Sequence, residues 1–218
     1  MKYMKMLGLA VVAALALTAL VGAGSASAVT LCKKNVAPCP AGENYALGTV
    51  IEGHASPVTL VTTGGLQNPT VTCTTSTFSG KTTSVTASPT SLTGTIDKVT
   101  FTGCTEDITK GSCTASVINL PLTAHITTAG AISNGNGTLT ITGAEGTFLC
   151  HNLGTSSFGV DHCIYKGDVL MNVVGGAPAT ATAPGSTLGR NGGDFGCPTS
   201  AHWSGKYTIT KPNPLFVI

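Results

Sequence analysis

From about residue 45 onward, short apolar and threonine-rich runs alternate with polar positions, and turn residues interrupt them at close intervals. Strict alternation sends every second side chain to the same face, so each run is expected to be a half-buried β-strand. The pattern predicts strands over 45–52, 58–62, 71–75, 82–87, 95–104, 113–119 and 122–128. In the last of these, Leu122, Ala124 and Ile126 take one face, and Thr123, His125 and Thr127 take the other. Ser133-Asn134-Gly135-Asn136-Gly137 follows, and Asn-Gly steps accept the positive φ angles of a tight hairpin, so 138–142 is expected to return alongside. Further strands are expected over 146–151, 162–166 and 168–174, whereas 175–185 and the glycine-rich 189–196 read as connecting segments. Near the end, Trp203, Gly205, Tyr207 and Ile209 alternate with His202, Ser204, Lys206 and Thr208, the signature of a half-buried central strand.

Composition reinforces the strand reading. Thirty-five threonines follow residue 28, and their branched side chains fit a pleated surface better than a helix. No window beyond residue 28 carries a helical apolar period. About a dozen strands without intervening helices predict an all-β domain, a two-sheet sandwich or jelly-roll-like fold stabilised by disulfides, with a β-barrel as the alternative.

The first 28 residues differ in kind from the rest. Lys2 and Lys5 precede an uncharged apolar run from Leu7 to Val21, and Ala26-Ser27-Ala28 offers the small residues a signal peptidase needs. Residues 1–28 therefore read as a cleaved secretion signal, and 29–218 as a single secreted domain, extracellular or at the cell surface. The apolar run is shorter than the roughly 20 residues that span a bilayer, so no membrane span is expected after cleavage. Two of the 11 basic residues lie in this leader, and the remaining nine balance nine acidic ones. A neutral chain with Arg190 as its sole arginine has little means of holding phosphates, which argues against nucleic acid as a partner.

All eight cysteines, Cys32, Cys39, Cys73, Cys104, Cys113, Cys150, Cys163 and Cys197, follow the leader, and an even number in an exported chain implies disulfides. Short loops favour Cys32 with Cys39, Cys104 with Cys113 and Cys150 with Cys163, leaving Cys73 and Cys197 as a long clasp. No C-x-x-C spacing occurs, so structural zinc is the weaker reading.

A Cys150–Cys163 bridge would fix the register of a hairpin. It sets Phe148 against Tyr165 and His151 against His162, with Phe148, Cys150, Cys163 and Tyr165 on one face and Leu149, His151, His162 and Ile164 on the other. Two neutral imidazoles side by side can hold zinc or copper, and two protonated ones repel, so the pair is a candidate metal or pH-sensing site. Asp161 or His125 would have to supply a third ligand. Catalytic patterns are weaker. Ser156, Asp161 and His162 are near in sequence, but adjacent residues on an extended chain point apart, and no nucleophile elbow surrounds the serine. The nine acids form no paired constellation, and Glu106 and Asp107 read as residues of an exposed turn. Trp203 and Tyr207 could stack on a sugar, but their shared face with Ile209 favours core packing.

Leu31-Cys32 with Cys39-Pro40, Tyr45 with Gly48-Thr49, Phe101 with Cys104, and Cys197-Pro198 followed by Ala201, Trp203 and Tyr207 resemble a group of small exported cysteine-containing β proteins of high-GC Gram-positive bacteria. That resemblance implies a secreted β protein and brings no activity, cofactor or catalytic residue. The expected function is a non-enzymatic secreted or cell-surface module, binding an extracellular protein or glycan or serving a structural role in the envelope. Metal binding or pH sensing at His151 and His162 is the alternative, and a secreted hydrolase the third.

Overall fold

The computed structural model describes residues 29–85, 91–128, 134–151 and 160–218. The expected signal segment lies outside these residues. Among the described residues there are eleven strands: β1 (Leu31–Cys32), β2 (Val50–Thr63), β3 (Thr70–Val85), β4 (Ser91–Glu106), β5 (Ser112–Val117), β6 (Leu122–Thr128), β7 (Gly137–His151), β8 (Val160–Val174), β9 (Thr180–Gly193), β10 (Ser200–Lys211) and β11 (Phe216–Val217). The all-β class is as expected, and of the two architectures weighed from the sequence the barrel is the one observed. Each long strand pairs antiparallel with the next in the chain, β10 returns to pair with β2, and β5 and β6 share one position between β4 and β7. The result is an eight-position up-and-down barrel. A sheet closed this way has almost no free edge, and eight strands leave an interior that side chains nearly fill.

The strands are longer than the apolar runs suggested because several runs fuse across bulges. The expected strands 138–142 and 146–151 are one element, β7, with a register shift between Ile141 and Ala144 where Gly143 takes a φ of 61°. A bulge of this kind bends a strand without ending it, so its glycine imitates a turn in sequence. β9 was missed for a related reason. Its inward residues are small, Ala181, Ala183 and Ser186 followed by Leu188, and Pro184 sits at a shift in its pairing with β10. Segments read as connectors, 180–185 and 189–193, are therefore wall.

The interior is organised by three edge-to-face aromatic pairs: Phe78 with Tyr207 at 5.4 Å between centroids, Phe101 with Trp203 at 5.3 Å, and Phe148 with Tyr165 at 6.3 Å. Such contacts add about 0.5–1.5 kcal/mol each beyond burial. One end is capped by the β1–β11 ribbon, which places Leu31 opposite Val217, both buried. The outer wall of β3 and β4 carries exposed Thr74, Thr77, Lys81, Lys98 and Thr102.

Four disulfides hold this frame: Cys32–Cys39, Cys73–Cys104, Cys113–Cys150 and Cys163–Cys197. Four bridges fit an oxidising environment. Cys32–Cys39 is the pair expected from its short loop, and the other three expected pairs are replaced. Cys73, Cys104, Cys113 and Cys150 lie in one row across β3, β4, β5 and β7, each directly opposite the next. Cys104 and Cys113 do face each other, but each is bonded to the cysteine on its other side. Sequence proximity ranks loop lengths and cannot rank neighbours within such a row.

Candidate functional site: an apolar chamber behind an open seam

The ladder of the barrel wall is interrupted in two places: between β8 and β9, where 167–171 have no paired residues on β9 and Ser186 Oγ accepts from Leu170 N and donates to Leu170 O, and between β4 and its neighbours β5 and β6. Along β4, residues 98–102 pair with β3, from Lys98 opposite Ser79 to Thr102 opposite Thr75. On its other side β4 pairs with β6 only over Ser91–Ile96, and with β5 only at Cys104 and Thr105. Residues 97–103 thus have no strand partner on that side among the described residues. The strand β5 instead stays with β7, from Cys113 opposite Cys150 to Val117 opposite Gly146. Past its end, Asn119 substitutes for a strand partner to β7. Its Nδ2 donates to Gly143 O at 2.7 Å, its Oδ1 accepts from Glu145 N at 3.0 Å, and Ile118 N donates to Glu145 O at 3.0 Å. β7 is therefore hydrogen-bonded throughout this stretch, whereas β4 over 97–103 and the facing edge of β5 beyond Cys113 have no strand partner toward each other among the described residues.

Behind the seam lies a chamber of about 90 Å³ whose lining is almost entirely apolar. Trp203, Met171 and Phe148 form its inner part, Val99 and Phe101 its β4 wall, and Val117 and Gly146 the wall across the seam. Val99, Phe101 and Val117 are only half-buried although they belong to the core. Glu145 stands at the rim, ion-paired to Lys166 at 3.2 Å and accepting from Asn191 Nδ2 at 2.9 Å. The hydrogen bonds from Lys166 and Asn191 hold its carboxyl below the usual carboxylate range. Two smaller voids flank the chamber along the barrel. One, of about 50 Å³, lies against the β1–β11 cap, and one of about 30 Å³ lies beneath the opposite loops beside Tyr165 and Gln67.

The histidine pair is arranged differently from the expectation. In the β7–β8 ladder His162 lies opposite Leu149 and His151 opposite Val160, two residues away from the register a Cys150–Cys163 bridge would impose. A slip of two preserves the faces, so Phe148, Cys150, Cys163 and Tyr165 are buried together as expected. His151 and His162 share the outer face but are diagonal, not opposed. The His162 Nε2 pairs with Thr147 Oγ1 at 2.6 Å, while His125 and His202 lie beside Thr93 and Thr187 at 3.5 and 3.1 Å. Among the described residues no three His, Cys, Asp or Glu side chains converge as a metal site would need. Ser156 and the side chain of Asp161 lie outside the described residues. Trp203 and Tyr207 face inward with Ile209, as their shared face suggested.

One carboxylate lies elsewhere than expected. Glu106 is not on an exposed turn: it is 1% exposed and holds the 107–111 turn together from beneath. Its Oε2 accepts from Ile108 N at 2.6 Å, its Oε1 from Gly111 N at 2.5 Å, and it also accepts from Thr109 N and Thr109 Oγ1. Burial alone would raise its pKa, but these hydrogen bonds outweigh burial and hold it below the usual range.

The chamber and its seam escaped the sequence reading because they arise from where β5 and β6 divide one strand position between them. The available signal was Asn119-Leu120-Pro121, an interruption between two runs that face the same neighbours. No protein-family model matches this chain, and neither a curated protein nor a solved structure matches it.

Proposed function

We propose that this chain is a secreted or cell-surface, non-enzymatic binding protein whose barrel accepts an apolar group of its ligand through the seam beside β4. The observation that carries the reading is the apolar chamber, bounded by Trp203, Phe101 and Phe148, behind the interrupted pairing of β4 with β5 and β6. Small barrels hold single small ligands in this way, and an apolar cavity at a wall opening gains free energy by covering its lining. Export is supported by the leader-like 1–28 segment and by the four disulfides. An apolar chamber favours a protein or lipid-like group over a glycan as what enters it.

Trp203 is the sole tryptophan and lines the chamber, so its fluorescence reports occupancy. Titration with benzene and with 1-hexanol is expected to give a saturable fluorescence change and a rise in melting temperature. A Gly146→Leu change supplies the control. A Cβ at that position meets nothing nearer than the Phe148 ring at 3.5 Å, so a side chain can begin there without a backbone clash and extend into the chamber that Gly146 lines. The variant should fold and lose the response. A response absent from the parent protein, or unchanged in this variant, removes the reading.

A second reading has its own observation. On neighbouring loops at the disulfide-rich end, Leu66 is 90% exposed and Phe195 is 98% exposed. Loop-tip apolar residues of this size suit contact with a protein partner.

A further inference from the structure

Resting on the chamber reading above, we propose that the ligand is an extended peptide segment, which adds a strand to the open edge of β4 over residues 97–103 and places one apolar side chain in the chamber. Two independent observations point to this chemistry. The first is size. A chamber of about 90 Å³ is well below the roughly 300 Å³ at which pockets for drug-sized molecules begin, but it suits a single apolar side chain.

The second is the hydrogen-bonding character of the seam. Residues 98–102 keep the extended backbone of a strand up to Gly103, whose φ of 59° marks a bulge, and β3 takes only the groups on one side. The donors and acceptors on the other side have no strand partner among the described residues, and neither does the facing edge of β5 beyond Cys113, while β7 behind it is paired by β5 and Asn119. Main-chain groups at an edge demand partners, and what supplies them in regular alternation is another extended chain. An acyl chain or an aromatic solute would fill the chamber and leave this edge unanswered. The geometry also matches in phase. Val99 and Phe101 turn inward to the chamber, so a strand laid beside them directs its own alternate side chains into the same space.

The edge is bounded. Ile96 opposite Leu122 closes one end and Cys104 opposite Cys113 the other, which limits the added strand to about seven residues. Asp97 is occupied by Lys81 at 3.8 Å, and Lys98 is exposed beside it. The peptide's register is therefore expected to centre on Val99–Phe101, clear of this charged end.

The test uses capped heptapeptides of alternating threonine and apolar residues, with alanine, valine, leucine or phenylalanine at the centre, and a matched set N-methylated at alternate backbone nitrogens. Amide hydrogen exchange of 97–103 and Trp203 fluorescence are read on the disulfide-intact chain. Leucine- or phenylalanine-centred peptides should slow exchange of those amides that β3 does not take by about tenfold or more at saturation, and should bind about tenfold tighter than the alanine-centred peptide. N-methylation should abolish the protection. Gly146→Leu should erase the preference for a large central residue while leaving weak protection by the alanine-centred peptide. If benzene saturates Trp203 but no peptide protects 97–103 at millimolar concentration, the chamber reading stands and strand addition is overturned. Equal binding of N-methylated peptides overturns it as well. If neither benzene nor any peptide produces a response, both readings fall together.

Discussion

Glu106 and the two buried tyrosines show how much one side chain's surroundings decide. Glu106 accepts hydrogen bonds from three backbone amides and one hydroxyl while almost wholly excluded from water. Glu106→Gln keeps the shape but gives up the charge and turns one acceptor into a donor facing donors. A loss of about 1–3 kcal/mol is expected by chemical denaturation. The pH dependence has a definite sign. The folded-state pKa lies below the unfolded one, so the carboxylate's contribution is present above the usual carboxylate range and is lost as pH falls through the folded value. The parent protein should therefore lose stability on acidification faster than Glu106→Gln, and parallel acid limbs would refute the assignment. The tyrosines make a paired comparison. Both have pKa values pushed up to about 12 by burial, yet Tyr207 OH meets Ser76 Oγ at 2.9 Å, and among the described residues no hydrogen-bond partner meets the buried Tyr165 OH. Tyr207→Phe strands the fully buried Ser76 hydroxyl and should cost about 1–2 kcal/mol, whereas Tyr165→Phe should be neutral or stabilising. Equal losses in the two variants would mean that the Tyr165 hydroxyl is satisfied after all. The sequence marks these tyrosines as inward-facing by alternation. It marks Glu106 wrongly, because a carboxylate that caps its own turn has the same local sequence as one pointing to water.

At the scale of elements, parity is legible and pairing is not. Alternation alone put Phe148, Cys150, Cys163 and Tyr165 on one face, and a register two residues away leaves that division intact. The choice among registers depended on a bridge that the cysteine row does not make. The true connectivity predicts distinct linked peptides in a non-reducing digest, joining Cys73 to Cys104, Cys113 to Cys150 and Cys163 to Cys197. Finding Cys150 linked to Cys163 would reverse the β7–β8 register and set His151 beside His162 again. The energetic counterpart follows from loop length. Cys163 and Cys197 are 34 apart in sequence and Cys32 and Cys39 only seven, so replacing the first pair by serine should cost about 4 kcal/mol and the second about 2 kcal/mol in the chain-entropy account. Strands with large inward residues, such as β10 with Trp203, Tyr207 and Ile209, announce themselves, whereas β9 turns alanines inward and carries Pro184 and Gly185, so its pattern resembles a linker. Small residues there let a strongly curved wall approach the aromatic interior, a requirement that only the closed barrel creates.

For the whole molecule, sealing of one end depends on two short strands outside the predicted set. β1 and β11 lie across one end of the barrel, and Leu31, Leu215 and Val217 from this region line the void of about 50 Å³ together with Ile51, Ile126 and Ile209 of the wall. Val217 is fully buried, its N–H donates to Gly135 O at 2.9 Å, and Ile218 N donates to Thr30 O at 3.0 Å, so the cap is tied to the β6–β7 connection and to the segment before β1. An end cap of this kind excludes water from the lower interior while the seam beside β4 stays open at mid-height, and the two features can be separated by mutation. Val217→Asp would bury a carboxylate among apolar side chains, at a cost of about 3 kcal/mol or more. In a chain of this length that corresponds to a fall in melting temperature of roughly 6–12 °C. Because Trp203 lines the chamber and not the capped void, its response to benzene should persist in whatever fraction remains folded. A variant that melts like the parent would show that the ribbon contributes little to closure. A variant that stays folded but loses the benzene response would instead show that cap and chamber are coupled through Phe78, Ile96 and Leu139, the side chains that line both spaces.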